Sequence, residues 1–271
     1  MQKLTAEQLE KLDPYQFMAE LGKKVIHPGG RKSTGEVYQM AKIQTTHLVL
    51  DMGCGVGTTA IEIAKKFGCS VVVSDIDQNM LDKARENVKR AGLSDKIKIL
   101  HADIQQMPFA DNQFDVVIIE AVTMFVDRKK AAIEICRVCK LGGRVVEHEF
   151  IWRKRPTQEA RRIFEGEVCP GIKFDTANDW LQLFSDNGFK NEQHTTGPFI
   201  MMSVGGFLND EGIMGTLRLF IKTFTRMAYI KKMMWLMPRI IKVRNSLGYI
   251  IFTSVKTIML SVLEIISTSA L

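Results

Sequence analysis

The feature that most constrains the fold is an alternation of short apolar runs and amphipathic segments between residues 47 and 153. Apolar runs such as HLVLDMG and SVVVSDID are each followed by a segment with helical spacing, such as TTAIEIAKKFG and QNMLDKARENVKRAG. Strands joined by helices of this length predict a mostly parallel sheet with helices on both faces, because crossover connections are right-handed. We therefore expect a doubly wound α/β protein that binds its ligand at the carboxyl ends of the strands.

The remaining segments are predicted to surround this core. Residues 1–46 are expected to form a helical cap, which His27-Pro28-Gly29-Gly30 interrupts. Residues 154–256 are expected to hold helical insertions on the acceptor side and the last sheet strands, near 191–199 and over GYIIFTSVK. Within them, residues 155–188 are predicted to be helical and polar. Residues 257–271 are assigned to a C-terminal tail.

Cysteine usage and hydropathy favour a cytoplasmic protein. The five cysteines are odd in number, and the charged N-terminus lacks the apolar segment of a secretory signal, so free thiols are expected. Cys136 and Cys139 have a CxxC spacing, but no second ligand pair lies near, and packing on a helix is favoured over zinc. No apolar run is long enough to span a bilayer, and residues 257–271 come nearest.

The basic residues are concentrated near the end of the chain. Residues 212–262 hold nine Lys or Arg and no Asp or Glu; subtracting these from 37 leaves 28 basic against 30 acidic residues elsewhere. Within 213–245, Arg218, Lys222 and Arg226 are spaced by four and predict one basic helical face. Two interpretations are compatible: a lid over the active site, or a peripheral surface for anionic lipids. The methionine-rich apolar face disfavours nucleic acid.

The first strand is followed by a glycine loop, Asp51-Met52-Gly53-Cys54-Gly55-Val56-Gly57. Glycines at this position let the backbone pass close to a ligand. The same loop also fits a relaxed dinucleotide pattern through Gly55, Gly57 and Ala60. Asp51 argues against a dinucleotide, because its carboxylate would repel a pyrophosphate but would suit a cationic amino-acid head group.

Acidic residues end the next strands as well. Asp75 ends the second strand and can accept both hydroxyls of a ribose. Asp103 ends the third and can take an adenine amino group, with Ile104 packing on the ring. Glu120 ends the fourth, close to where the reacting group would lie. These acids indicate a nucleoside-containing ligand.

Together, DMGCGVGTTAIEIAKKFG, SDID, HADIQQMPFADNQFDVVIIEAVTMF and EICRVCKLGGRV resemble class I S-adenosylmethionine-dependent methyltransferases of the ubiquinone/menaquinone-methylating type. The resemblance covers about residues 45–150. It implies a Rossmann-like, mostly parallel seven-stranded sheet and S-adenosylmethionine as the cofactor. It places the cofactor on Asp51, Gly53, Cys54, Gly55, Asp75, Ile76, Asp103, Ile104 and Glu120.

The acceptor side is less constrained. Glu147, His148 and Glu149 are predicted to end the fifth strand, with Glu149 and His148 the candidates for moving a proton of the acceptor. The alternative is that they are solvated or paired with Arg153 to Arg155. No metal is expected, because the sulfonium already activates the methyl group.

Three functions remain open from the sequence. The first is methyl transfer to a small, lipophilic acceptor, such as a quinone precursor or a lipid, without a nucleic-acid partner. The second is an RNA or protein methyltransferase that uses residues 213–245. The third is a protein that binds the cofactor without chemistry. No Asp-Pro-Pro-Tyr or Asn-Pro-Pro-Tyr follows the fourth strand, which disfavours methylation of a base amine.

Overall fold

The computed structural model describes residues 4–174 and 176–257, and its elements follow the predicted alternation. The strands are β1 (Leu48–Met52), β2 (Ser70–Asp75), β3 (Ile97–His101), β4 (Phe114–Glu120), β5 (Cys139–Trp152), β6 (Phe189–Pro198) and β7 (Leu247–Lys256). The helices are α1 (Ala6–Lys11), α2 (Pro14–Leu21), α3 (Gly30–Ala41), α4 (Thr58–Phe67), α5 (Gln78–Ala91), α6 (Arg128–Val138), α7 (Gln158–Arg161), α8 (Ala177–Ser185), α9 (Val204–Phe224) and α10 (Met227–Val243).

The seven strands form one sheet in the order β3-β2-β1-β4-β5-β7-β6. Strand β7 runs antiparallel to both its neighbours, and the other pairs are parallel. The predicted doubly wound, mostly parallel seven-stranded sheet is therefore confirmed. The chain winds outward from β1 through β2 to β3 and then returns to β4 on the other side of β1. This reversal opens a crevice at the carboxyl ends of β1 and β4, where such folds bind ligands.

Local signals fix the ends of the helices next to this crevice. Helix α4 follows Gly57 and ends at Gly68, and both glycines adopt positive φ. Helix α5 begins after Asp77, whose carboxylate accepts the N–H of Asn79 at 2.8 Å, and ends at left-handed Gly92. Asp and Gly at these positions satisfy the unpaired backbone groups of helix ends. The two helices hold the glycine loop and the end of β2 in place.

Strand β5 is longer than the sequence suggested. Helix α6 ends at Val138, and β5 continues to Trp152, so Glu149 does not end the strand as predicted. The reason is β7, which pairs with β5 continuously from Arg144 to Trp152 and extends it past the end of β4. The CxxC pair is also divided, since Cys136 lies in α6 and Cys139 begins β5.

The segment between β5 and β6 is less polar than predicted. Helix α7 continues as a π-helix over Arg162–Val168, and α8 follows. Phe164, Phe174 and Trp180 from this segment are buried. They pack around Phe150, the first two with ring centroids 5.6 and 5.7 Å from it, and extend the core beyond the sheet.

The basic segment forms two helices rather than one continuous face. Helix α9 bends at Gly212 and ends at Phe224, and Arg226 has extended backbone before α10. The prediction that Arg226 shares a helical face with Arg218 and Lys222 is therefore wrong. Lys222 instead donates to the carbonyl of Glu20 at the end of α2, where cations complement the helix dipole.

The N-terminal cap is tied to α9 by a buried ion pair. Nζ of Lys23 lies 2.5 Å from Oδ2 of Asp210, and both side chains are fully buried. Oδ1 of Asp210 also accepts the backbone N–H of Arg31 at 2.7 Å. The N-terminal cap and α9 therefore form one layer over the crevice at the ends of β1 and β4. Over residues 4–174 and 176–257, no helix is long and apolar enough to cross a membrane; residues 258–271, most of the predicted tail, lie outside the described chain.

Candidate active site

A cavity of about 350 Å³ lies where β1 and β4 diverge. The nine residues predicted to hold the cofactor all line it: Asp51, Gly53, Cys54, Gly55, Asp75, Ile76, Asp103, Ile104 and Glu120. The cap contributes Tyr15, Gln16 and His27 to the same cavity. The structure thus brings the predicted residues together and closes the cavity with the cap, while the contact of each residue with the cofactor stays a prediction.

The glycine loop is shaped by contacts with both neighbouring strands. The N–H groups of Gly53 and Cys54 both donate to the carbonyl of Ser74, at 2.7 and 3.0 Å. Gly53 has φ +77°, and a Cβ there would lie 2.1 Å from a methyl carbon of Val122. A side chain at this position cannot be accommodated, so the backbone reaches the cavity directly.

Asp75 is held in place by the loop it faces. Its Oδ2 accepts the N–H of Gly55 and its Oδ1 accepts the N–H of Asp77, both at 2.9 Å. Burial raises the pKa of Asp75 while these hydrogen bonds oppose the rise. Each carboxylate oxygen keeps a second lone pair, so Asp75 can still accept two ribose hydroxyls.

Asp51 is a buried acid with one unsatisfied carboxylate oxygen, since Oδ2 has no hydrogen-bond partner among the described residues. Burial raises the pKa of Asp51 well above its usual value, and the nearby carboxylates of Glu120 and Asp75 raise it further. A buried carboxylate in this state is stabilised by a cation. The ammonium group of an S-adenosylmethionine molecule fits this requirement.

The part of the cavity lined by Ile76, Asp103 and Ile104 suits an adenine ring. Ile76 and Ile104 both line the cavity, Ile76 with 62% of its surface exposed and Ile104 buried. Oδ1 of Asp103 accepts the N–H of Gln105 at 2.8 Å, which orients the carboxylate. An apolar surface beside an oriented acceptor can pack on a purine and bind its amino group.

Glu120 lies at the centre of a polar cluster that the sequence revealed only in part. Its Oε1 accepts the hydroxyl of Thr59 at 2.8 Å, and its Oε2 lies 3.3 Å from Nδ1 of His148 and 3.5 Å from Nε2 of His27. Burial would raise the pKa of Glu120. The charges and hydrogen bonds of His27, His148 and Thr59 outweigh burial and lower this pKa to about 2. Burial lowers the pKa of His27 to about 4, against the opposing charge of Glu120. Glu120 is therefore a carboxylate beside an uncharged His27 at neutral pH.

Sequence reasoning missed His27. Its only signal is the interruption of the N-terminal helices at His27-Pro28-Gly29-Gly30, which by itself indicates no chemistry. Nε2 of His27 lies 2.9 Å from the hydroxyl of Thr34, and Nδ1 lies 3.3 Å from that of Ser33. These contacts from α3 aim the ring at Glu120.

The two predicted catalytic residues lie behind the cavity wall. Glu149 and His148 are fully buried, and neither is among the described residues that line the cavity. Oε1 of Glu149 accepts the N–H groups of Val122 and Thr123, at 3.0 and 2.7 Å. The alternative that they are solvated or paired with Arg153 to Arg155 is wrong, because β5 continues past them into the core.

Glu149 and Glu147 share one face of β5, as the pleat requires. Oε1 of Glu147 accepts the hydroxyl of Thr123 at 3.1 Å. Burial raises the pKa of Glu149 to about 7 and that of Glu147 well above its usual value. The pair therefore carries at least one proton at neutral pH.

The cysteines do not contribute a second site. All five are free. Burial raises the pKa of the thiols of Cys54 and Cys169, and that of Cys139 to about 12, so these thiols stay protonated.

Comparison with known proteins places this chain in a family. Residues 50–146 match the family model described as a methyltransferase domain. An uncharacterized protein of Haemophilus influenzae is 34% identical over 76% of this chain and 83% of its own length. Sterol 24-C-methyltransferase ERG6 of Saccharomyces cerevisiae is 36% identical over 49% of this chain, but the chain spans only 36% of that protein. The ubiquinone/menaquinone C-methyltransferase UbiE of Cupriavidus taiwanensis is 30% identical, over 56% and 63% of the two chains.

Solved structures show the same fold. The MccD protein superposes with a TM-score of 0.72 at 20% identity, over 85% of this chain and 99% of MccD. Phosphoethanolamine N-methyltransferase 2 of Haemonchus contortus, in complex with S-adenosylmethionine, gives a TM-score of 0.72 at 20% identity, over 93% and 57% of the two chains.

The chain belongs to the class I S-adenosylmethionine-dependent methyltransferases. It is an enzyme that uses S-adenosylmethionine as its methyl donor.

Proposed function

We propose that this methyltransferase acts on a small, lipophilic acceptor, such as a quinone precursor or a lipid, at a membrane surface. The observation that carries the proposal is the surface formed by α9 and α10. Large apolar side chains there are exposed, up to 78% for Ile213. They are Val204, Leu208, Ile213, Met214, Leu217, Phe220, Ile221 and Phe224 of α9, and Met227, Met234 and Ile241 of α10. An exposed apolar surface of this extent is typical of a binding surface.

The charge around this surface suits anionic lipids. Arg218 and Lys231 are exposed on the same two helices, and no Asp or Glu occurs in residues 212–257. Juxtaposed apolar and basic side chains bind the interface of an anionic bilayer, each basic residue adding about 1 kcal/mol. RNA would need a basic groove with few apolar groups, which this surface does not resemble.

An apolar groove continues from this surface toward the cap. It encloses about 490 Å³, and α2, α9 and α10 line it, with Leu21, Phe207 and Met233 among its side chains. Helix α2 separates the groove from the cofactor cavity, since Met18 faces the groove and Ala19 the cavity. We propose that an apolar tail lies in the groove and that a shift of α2 admits the reacting end of the acceptor.

The chain's own residues position the reactants. Bound S-adenosylmethionine supplies a methyl group on a positively charged sulfur, open to in-line attack by the acceptor. Asp51, Asp75 and Asp103 would hold its ammonium, ribose and adenine groups. Tyr15 and Phe125, whose rings lie 5.5 Å apart, line the cavity and would exclude water from it.

We propose that His148 and Glu149 act through the residues they contact rather than on the acceptor itself. Nδ1 of His148 orients Glu120, the carboxylate that faces the cavity and can accept a hydrogen bond from the methyl acceptor. Glu149 fixes the backbone at Val122 and Thr123, next to the site of attack. We therefore propose His148 and Glu149 as positioning residues.

Labelled cofactor tests the acceptor class. Incubation with S-adenosylmethionine labelled in its methyl group and a cell extract should place label in the organic, lipid-containing phase. Label in the macromolecular fraction would contradict the proposal, and its sensitivity to ribonuclease or protease would identify RNA or protein as the acceptor.

Vesicle flotation tests the surface. The protein should float with vesicles that contain phosphatidylglycerol and less with neutral phosphatidylcholine vesicles. Phe224→Glu with Met227→Glu should abolish flotation, whereas Ile133→Glu, at a 50% exposed apolar residue of α6, should not change it. Equal flotation of the two variants would show that α9 and α10 are not the docking surface.

A further inference from the structure

His27, Glu120 and His148 converge from three separate parts of the chain. His27 lies between α2 and α3, Glu120 ends β4, and His148 lies within β5. One ligand atom from each lies within 4.8 Å of the other two. From this arrangement we infer that the three side chains bind a divalent transition-metal ion at the reacting end of the cofactor cavity.

The distances match the space between donor atoms around such an ion. Oε2 of Glu120 lies 3.3 Å from Nδ1 of His148 and 3.5 Å from Nε2 of His27. Zinc–nitrogen and zinc–oxygen bonds of about 2.1 Å in a tetrahedral site separate neighbouring donors by roughly 3.4 Å. Two of the three separations already have this value, and the third, between the two histidine nitrogens, is at most 4.8 Å.

The donor set selects the kind of ion. Two imidazoles and one carboxylate are the ligands of catalytic zinc sites and of the facial triad that binds iron(II). Calcium and magnesium prefer oxygen ligands, so this cluster does not suit them.

The burial of the cluster suits a site with one open position. The side chain of His148 is fully buried, while those of His27 and Glu120 are 8% and 9% exposed. The latter two line the cavity, so the free coordination position of the ion faces the acceptor. An ion there would bind an oxygen of the acceptor and lower the pKa of its hydroxyl group.

Neighbouring side chains already hold two of the three ligands, Glu120 and His27, in place. Thr59 donates to Oε1 of Glu120 at 2.8 Å, which leaves Oε2 for the ion. Nδ1 of His27 lies 3.3 Å from the hydroxyl of Ser33, which donates to the carbonyl of Gly30 at 2.7 Å. The hydroxyl of Thr34, 2.9 Å from Nε2 of His27, would give up that contact to the ion. Supporting hydrogen bonds of this kind orient ligands in metal sites.

Such a metal site is a property additional to the proposed function and does not depend on the identity of the acceptor. It also departs from the sequence-based expectation of no metal. Metal binding is measured directly, without turnover, so its failure and the failure of the lipid proposal are distinguishable.

The test uses full-length protein without an affinity tag, stripped with EDTA and titrated with Co²⁺ and Zn²⁺. Calorimetry should give one Zn²⁺ per chain, and Co²⁺ should produce a visible absorption band of a nitrogen- and oxygen-ligated site. Glu120→Gln and His27→Gln should each weaken binding by more than about tenfold. His194→Gln, at an exposed histidine of β6, should leave the affinity unchanged.

Two results would overturn the inference. One is a wild-type protein that gives no stoichiometric Zn²⁺ binding and no Co²⁺ band. The other is an affinity that stays the same in Glu120→Gln and His27→Gln. Circular dichroism establishes whether each variant folds, and the wild-type Co²⁺ spectrum decides the question if neither does.

Discussion

The backbone N–H of Gly55 donates to Oδ2 of Asp75 over 2.9 Å. This bond joins the glycine loop after β1 to the acid at the end of β2. Asp75 therefore has two roles, because it fixes the loop and presents its remaining lone pairs to a ribose. The loop needs little rearrangement when the cofactor binds, which lowers the entropic cost of binding.

Asp51→Asn should have opposite effects on folding and on cofactor binding. Removal of a buried carboxyl group with one unsatisfied oxygen should stabilise the free protein by roughly 1–3 kcal/mol at pH 7.5. Loss of the charge that faces the cofactor's ammonium group should weaken its binding about tenfold or more. Urea unfolding and calorimetry measure the two effects.

Asp95→Asn is the matched control for this variant, since Asp95 is exposed and lies outside the cavity. It should change neither property. An Asp51→Asn protein that is less stable and binds the cofactor normally would show that Asp51 serves the fold alone.

Lys23→Met should destabilise the protein strongly. The substitution leaves the carboxylate of Asp210 fully buried without its cation. Loss of one partner of a buried ion pair typically costs about 3–5 kcal/mol. The free energy of unfolding in urea measures the loss.

The double variant Lys23→Met with Asp210→Asn separates the charge from the packing. The amide introduced by Asp210→Asn keeps an oxygen for the N–H of Arg31, so more than half of the lost stability should return. A double variant as unstable as Lys23→Met would mean that the hydrocarbon contacts of Lys23, rather than its charge, hold the cap on α9.

The buried acids of β5 should make stability depend on pH. The pKa of Glu149 is about 7 in the folded protein, against 4.5 ordinarily. Between pH 4.5 and 7, the folded protein therefore keeps a proton on Glu149 that the unfolded protein has lost. The free energy of unfolding falls as the pH rises through this window. Above pH 7, the loss in the free energy of unfolding approaches about 3 kcal/mol. Burial raises the pKa of Glu147 as well, which acts in the same direction.

Glu149→Gln should flatten this dependence, as thermal melts at pH 5, 6, 7 and 8 would show. Glu86→Gln, at an exposed glutamate of α5, should melt with the pH dependence of the wild type. A steep fall in stability that persists in Glu149→Gln would assign the titration to another group.

The sequence was sufficient to predict that the acids at the strand ends lie together, for a physical reason. Asp51, Asp75 and Glu120 each lie at the end of a parallel strand, and parallel strands bring their carboxyl ends to one edge. Strand periodicity alone therefore places these acids together. The left-handed glycines of the loop and the glycines that end α4 and α5 are local signals of the same kind.

The parts that were not predicted depend on distant contacts. His27 reaches Glu120 only because the cap folds back over the sheet, and Lys23 with Asp210 holds it there. Strand β5 extends past Glu149 because β7, about a hundred residues later, pairs with it. The break before Arg226 carries no glycine or proline signal of its own.

Calorimetric titration with S-adenosylhomocysteine tests the central claim most directly. The wild-type protein and Asp82→Asn, at an exposed acid of α5, should bind one equivalent with the same affinity. Asp75→Ala should remain folded and bind at least about tenfold more weakly, because it loses the ribose contact and the anchor of Gly55. No binding to the wild type, or equal binding to folded Asp75→Ala, would contradict the assignment of this cavity to the methyl donor.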